Sequence, residues 1–253
     1  MTAWHRGPML AFDLETTGPQ PDSARIVTAT IIEVGPTGVA RTREWLLNPG
    51  VDIPAGATAV HGITTTRARE DGTDPGVAVF EITAELGTWL HKGLPVVGHN
   101  VAYDFTVLDR ECRRHDVDPL DDRLDVVAPV VDTFTIDKAV DRYRKGKRTL
   151  EITAAHYGIR LDGAHDATAD ALAAARIAYR LAEQYPAELQ VPLEDLHGLQ
   201  VGWRTEQQAG LRAYFDRKGI AHDGCSGAWP VQPVPDGWDP AFHAADDVEA
   251  GAA

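Results

Sequence analysis

The stretch AFDLETTG sets two carboxylates, Asp13 and Glu15, two positions apart in an otherwise apolar run. Read as a strand, the run turns Leu10, Phe12 and Leu14 to one face and Ala11, Asp13 and Glu15 to the other. Two acids side by side on a half-buried face repel each other and resist ionisation unless a cation sits between them. A third acid, Asp104, lies in VVGHNVAYDFTVL, where a buried strand ends in Gly98, His99 and Asn100 and a helix begins. Strand ends in α/β sheets are where ligands bind. A fourth stands in HDATAD, where His165 precedes Asp170 by five positions at the opening of an alanine-rich helix. Five helical residues turn a side chain about 140° away, so His165 is expected on the loop or first turn, able to swing toward an Asp170 fixed on the helix. Asp162 reads as a turn former rather than a fifth ligand.

Four carboxylates, one histidine and no thiolate make a hard, oxygen-rich set that suits two Mg²⁺ or Mn²⁺ ions better than zinc. Two such ions about 3.5–4 Å apart activate a water and stabilise the leaving oxygen in an in-line attack on phosphorus. A histidine with an ordinary pKa near 6.5 can take the water's proton at neutral pH.

The elements that must position these groups are readable from the pattern. After the first strand, RIVTATIIEVG and GVARTREWLL flank the turn-like GPTG and predict a meander of three antiparallel strands. From DPGVAVFEITAELGTWLHKG the period becomes helical, interrupted by LPVVGHN and LDVVAPVVDTF, which read as buried parallel strands. Helices are expected at 101–115, about 134–143, about 149–157 and 166–184. The sum is an α/β fold with a mixed five-stranded sheet flanked by helices, over residues 8–185. Residues 186–253 form a C-terminal extension: one helix at about 194–218, then a proline-containing acidic tail expected to be loosely ordered.

At 253 residues the chain has room for one substantial core. Its net charge of −14 argues against a long electrostatic footprint on a polyanion, but not against a site that grips a chain end through divalent ions. The two cysteines, Cys112 and Cys225, lack CxxC or Cys/His spacing and are expected as reduced thiols. No run approaches the roughly 20 apolar residues that span a bilayer, and the N-terminal residues lack a signal peptide's apolar stretch, so a cytoplasmic protein with no membrane partner is expected.

FDLETTG, GHNVAYDFTVL and HDATAD, in this order, resemble the three motifs of the DEDD exonucleases, whose ribonuclease H-like fold the pattern above matches; the likeness covers about residues 8–183. The family includes the proofreading subunit of bacterial replicative DNA polymerase. The histidine five positions before the last aspartate resembles the DEDDh subtype; the tyrosine subtype would carry Tyr where this chain has Asp166. The resemblance implies that Asp13, Glu15, Asp104 and Asp170 hold two metal ions and that His165 is the general base. It further implies a 3′–5′ exonuclease acting on DNA or RNA 3′ ends, DNA favoured, with nucleoside 5′-monophosphates as products. AVHGIT is similar to the family's segment between meander and first helix, which brings His61 toward the terminal nucleotide, and Thr16, Gly18, His99 and Asn100 toward the same pocket. Proofreading, stand-alone DNA repair or degradation, and RNA trimming all stay open, as does a catalytically silent end-binding or docking module.

Two further stretches invite partners. The run DKAVDRYRKGKR carries Lys138, Arg142, Arg144, Lys145, Lys147 and Arg148, a candidate phosphate-contacting edge or a solvated helix end. QQAGLRAYF spaces Gln208, Leu211, Tyr214 and Phe215 like a peptide that docks on a sliding clamp, which with the extension could also meet a polymerase. Leu196, Leu199, Trp203, Leu211 and Tyr214 equally form one helical stripe, the ordinary mark of a helix packed on the main domain.

Overall fold

The computed structural model describes residues 3–161, 167–222 and 225–241. Strands β1 (Met9–Thr16), β2 (Ile26–Gly35) and β3 (Gly38–Leu46) form the expected antiparallel meander. Where the sequence reading left a connecting segment around AVHGIT, the structure has two short helices, α1 (Ala55–His61) and α2 (Thr65–Asp71). They span two turns each, too short to show an apolar period, and caps rather than periodicity define them: Gly62 closes α1 at φ 76°, and the Thr64 side chain caps α2.

Helix α3 (Pro75–His91) starts with the Asp74 side chain accepting from the Val77 N–H and with proline in its first turn. It buries Val79, Ile82, Leu86 and Leu90 at helical spacing. Then follow β4 (Val96–Gly98), α4 (Ala102–Arg114), α5 (Leu120–Arg123), β5 (Val130–Asp132), α6 (Thr133–Val140), α7 (Leu150–His156), α8 (Ala167–Gln184), α9 (Pro186–Leu189) and α10 (Leu193–Lys218). The sheet order is β3-β2-β1-β4-β5, with β4 parallel to β1 and β5 parallel to β4. This is the mixed five-stranded sheet that the pattern predicted. Among the described residues no helix is long and apolar enough to cross a membrane.

Helices cover both faces, and the alternation along β1 sorts its side chains between two cores. Leu10, Phe12 and Leu14 join α3 and α4 residues such as Ile82, Leu86, Phe105 and Leu108 in one. Met9 and Ala11 join Ala171, Ala175, Ala178 and Ala182 of α8 in the other. Continuing that second face, Asp13 and Glu15 lie on the side of the sheet that α8 covers. Alanines at the contact let the helix lie close to the strands, since no side chain beyond Cβ keeps them apart.

The late elements differ from expectation. Leu196 is buried, but Leu199, Leu211 and Tyr214 are 41%, 37% and 44% exposed, and the inward face of α10 is instead His197, Gln200, Arg204 and Gln208. The reason lies in β5, an edge strand whose outer backbone groups need partners. The Gln200 amide supplies them: Oε1 accepts from Asp132 N at 2.7 Å and Nε2 donates to Val130 O at 2.9 Å. His197 Nδ1 accepts from Val130 N at 3.2 Å.

The expectation of a loosely ordered tail is likewise corrected for residues 225–241. Trp229 enters the α3/α4 core, Gln232 N donates to Thr106 Oγ1, and Arg110 Nη2 donates to Pro233 O at 2.8 Å. The indole of Trp238 donates to Asp22 O and lies under the guanidinium of Arg114. This cover explains how the charged sequence RECRRH of α4 can be interior: Arg110 and Glu111 are fully buried, and Glu111 pairs with Arg25 and Arg114 at 2.6 and 2.9 Å. Cys112 and Cys225 are both buried free thiols, as expected.

Replacing Gln200 by Leu keeps the volume but strands the Asp132 N–H and the Val130 carbonyl. At roughly 1–3 kcal/mol for each buried group left unpaired, Gln200→Leu should destabilise the protein by about 2–6 kcal/mol in urea unfolding, whereas Leu199→Gln on the exposed face should change it by less than about 0.5 kcal/mol.

Candidate active site

Strand β1 outruns its neighbour. It pairs with β4 at Leu10 and Ala11 only, while pairing with β2 continues through Asp13↔Thr30 and Glu15↔Thr28. The backbone of β1 beyond Ala11 is therefore open on one side. Asp104 fills that opening: its Oδ1 accepts from Leu14 N at 3.0 Å. The residues GHN bring it there. A Cβ on Gly98 would lie 2.7 Å from Val101 and 3.0 Å from Phe12 O, so only glycine lets β4 end this close to β1. Asn100, at φ 60°, turns the chain into α4 while its N–H donates to Asp132 Oδ1 at 2.8 Å. Asp104 sits in the first turn of α4, where the helix dipole favours an anion.

From the other face of the sheet, α8 delivers Asp170 in its first turn. Carboxylate oxygens of Asp13, Glu15 and Asp170 lie within 4.8 Å of one another. Asp104 and Asp170 are 5% and 9% exposed, and Asp13 and Glu15 are half-buried. Burial first, then the charges of Asp104, Glu15 and Asp170, push the Asp13 carboxyl well above the usual carboxylate range. Asp104 is raised as well, by burial foremost and by Asp132 and Glu15, although N–H donors, Leu14 among them, pull it back. Such a set of converging oxygens, costly to ionise alone, can hold a hard divalent cation and become fully ionised in doing so.

The other residues that sequence reading marked divide into groups. His61 ends α1 and, with Glu15, Glu44, Arg67 and Ala167, lines a cleft of about 470 Å³ beside the acids. Its Nδ1 accepts from Ile63 N at 3.1 Å, so the proton of the neutral ring sits on Nε2, which lies toward the Thr16 backbone without reaching hydrogen-bond geometry. Burial lowers its pKa, keeping the ring neutral. Thr16 and Gly18 are joined by Tyr103, whose hydroxyl lies 2.5 Å from both Thr16 Oγ1 and Gly18 O. His99 has internal partners at both ring nitrogens, Thr133 Oγ1 at 2.8 Å and Arg148 O at 2.9 Å.

In the basic run, Arg144 and Arg148 are bound to buried Asp137, which also accepts from the Tyr157 hydroxyl. Arg142, Lys145 and Lys147 remain exposed. Gln208 is buried against Arg204, while Leu211 and Tyr214 of the clamp-like segment are exposed. His165 and Asp162 lie outside the described residues. Sequence reasoning missed Tyr103 and Asp132. Tyr103 is signalled only by its place next to Asp104; Asp132 shows in the sequence only as an acid after an apolar run, the position of an N-cap, and it caps α6 through the Phe134 N–H.

Comparison with known proteins bears on the same region. Residues 10–178 match the family model RNase_T, described as exonuclease. A PolC-type DNA polymerase III of Lacticaseibacillus paracasei is 26% identical over 175 residues, 69% of this chain and 11% of that protein. A DNA polymerase III subunit epsilon-like protein of Rhodobacter capsulatus is 32% identical over 180 residues, 68% of this chain and 23% of that protein. The chain thus spans less than a quarter of the length of either relative. Among solved structures, E. coli exonuclease I in complex with a dT13 oligonucleotide has the same fold at a TM-score of 0.59, with 21% identity over 72% of this chain and 42% of that one.

The raised carboxyls set a pH dependence with a definite sign. A carboxyl whose folded-state pKa is raised binds its proton more readily folded than unfolded. It therefore costs no stability below the ordinary value near 4, and an increasing amount as pH rises through the raised value. In EDTA, Asp13→Asn should melt within a degree of wild type near pH 4 and a few degrees above it at pH 7. Saturating Mn²⁺ should narrow or reverse that difference at pH 7. Thermal melts across this range check both; a difference independent of pH would contradict the reading.

Proposed function

The chain belongs to the exonuclease family of the RNase_T model, and from that membership we propose that it is a divalent-metal-dependent 3′–5′ exonuclease that releases nucleoside 5′-monophosphates, with DNA as the favoured substrate. The observation that carries the proposal is the convergence of Asp13, Glu15 and Asp170, with oxygens within 4.8 Å, in a chain of this family. Direction and product follow the family resemblance. The preference for DNA follows the relatives, which are DNA polymerase III proteins.

In this reading Asp13, Glu15, Asp104 and Asp170 would hold two ions of the Mg²⁺ or Mn²⁺ class. Bound there, the ions would supply an activated water and charge neutralisation at the scissile phosphate. The remaining work falls to the chain's own residues. Asp104, held by the Leu14 N–H, keeps its carboxylate at the open edge of β1. The cleft beside Glu15 takes the terminal nucleotide, and His61, neutral with its proton on Nε2, donates to it. His165 accepts the proton of the attacking water. His99 acts as a positioning residue, tying the end of β4 to the Thr133 and Arg148 backbone region. Exposed Lys145 and Lys147 contact phosphates of the approaching strand.

With 5′-labelled DNA and RNA oligonucleotides and Mg²⁺ or Mn²⁺, wild type should shorten DNA from its 3′ end and Asp13→Ala should not. His165→Ala should lose about 10²- to 10⁴-fold in rate, the usual contribution of a general base. Shortening of RNA alone would make the protein an exoribonuclease, and intact oligonucleotides under both metals would leave an end-binding module. Separately, Lys145→Glu/Lys147→Glu should raise KM several-fold with little change in kcat; unchanged kinetics would remove the two lysines from the substrate path.

A further inference from the structure

A second cleft, of about 1040 Å³, opens along α8 away from the acids. Arg6, Arg160, Arg176 and Arg180 line it, a concentration of guanidinium groups that stands out in a chain of net charge −14. Glu183, the neighbouring acid, is engaged by His5 and Arg6, and no carboxylate of the described residues pairs with Arg176 or Arg180. Between those two arginines stands Tyr179, 40% exposed. Residues 176, 179 and 180 share one stripe of the helix, so Tyr179, its ring tilted against His5 at a centroid distance of 5.5 Å, lines the cleft between two cations. The floor is apolar, from Met9, Val34 and Leu172.

Cations flanking a partly exposed aromatic side chain match single-stranded nucleic acid, whose phosphates seek charge and whose bases stack. Placement agrees. Both clefts follow the seam between α8 and β3: Ala167 and Glu44 line the one at the acids, Leu172, Arg176 and Val39 the other, and the Thr168 hydroxyl bonds Glu44 between them. Arg176 and Arg180 stand about 9 and 15 Å along the helix axis from Asp170, or about three to four nucleotides at a stacked rise of about 3.4 Å.

We propose that the arginine cleft holds nucleotides of the strand a few positions 5′ of the reacting end, so that substrate length, and not only the 3′ terminus, determines affinity. The inference rests on the exonuclease reading and adds a subsite to it. The test is binding of 5′-fluorescein dT20 and dT2 to the full chain, with Ca²⁺ in place of Mg²⁺, by fluorescence anisotropy. Arg176→Glu/Arg180→Glu should weaken dT20 binding at least ten-fold and lower the slope of log K against log salt by about 1.4, two lost single-strand phosphate contacts. The dT2 affinity should be the same in both proteins. Arg176→Lys/Arg180→Lys should keep most of the dT20 affinity, and Arg176→Gln/Arg180→Gln replaces the charge reversal if that protein melts early.

If wild type shortens dT20 with Mg²⁺ but the charge-reversed protein binds it unchanged, the subsite is refuted and the nuclease reading stands. Unchanged dT20 binding with loss of a polyglutamate ligand would refute it in favour of an acidic protein partner. A wild type that neither binds nor shortens dT20 would refute both readings.

Discussion

Carboxylates gathered at the end of one strand repel each other, and the rest of the structure can be understood as what holds them there. Asp13 and Glu15 are fixed by the register of β1 against β2, Asp170 by the approach of an alanine-faced helix, and Asp104 by a backbone N–H that β4 leaves open. No single element would tolerate the cluster. Burial and mutual repulsion raise the pKa of Asp13 and Asp104, so the arrangement is stable only because elements from both faces of the sheet converge on it. A bound cation turns the same repulsion into affinity, which ties the stability of this end of the sheet to its chemistry.

The opposite edge of the sheet poses a different polar problem. Strand β5 is three residues long and, among the described residues, has no strand beyond it. Side chains of α10 take the place of the missing neighbour, with one glutamine pairing a donor and an acceptor of the same strand. Asp132 at the end of β5 then caps α6 and receives the Asn100 N–H. The outer edge is thereby linked to the turn that launches Asp104. The tail segment does the same for α4, converting a charged helical face into an interior one by supplying carbonyl acceptors and an indole to its arginines.

Charge is distributed in a way that fits a protein which grips a polyanion locally. The overall excess of acids opposes nonspecific association. In two places, around Asp137 and around Glu111, arginines are neutralised by buried acids and serve the fold. The exposed lysines after α6, and Arg176 and Arg180 of the second cleft, are not held by buried acids of the described residues.

Much of this was legible in the sequence. The alternation in LAFDLE placed the acids on one face because strand geometry allows nothing else, and the meander and the alanine-rich helix followed from β-branched runs and from helical period. The three motifs in order identified the family, because each residue type is demanded by the chemistry it would do. What the sequence did not determine were the contacts made by polar residues far apart in the chain. Leu199, Leu211 and Tyr214 had the spacing of a buried stripe, yet Gln200 and His197 face inward, because an edge strand needs hydrogen-bond partners more than apolar cover. The tail, expected to be loosely ordered, closes over α4 and supplies acceptors to Arg110, and both ring nitrogens of His99 are bonded within the fold to Thr133 and Arg148. Periodicity reports how a segment presents its side chains; which of them are buried depends on what the neighbouring backbone leaves unpaired, and only the tertiary structure brings that neighbour into place.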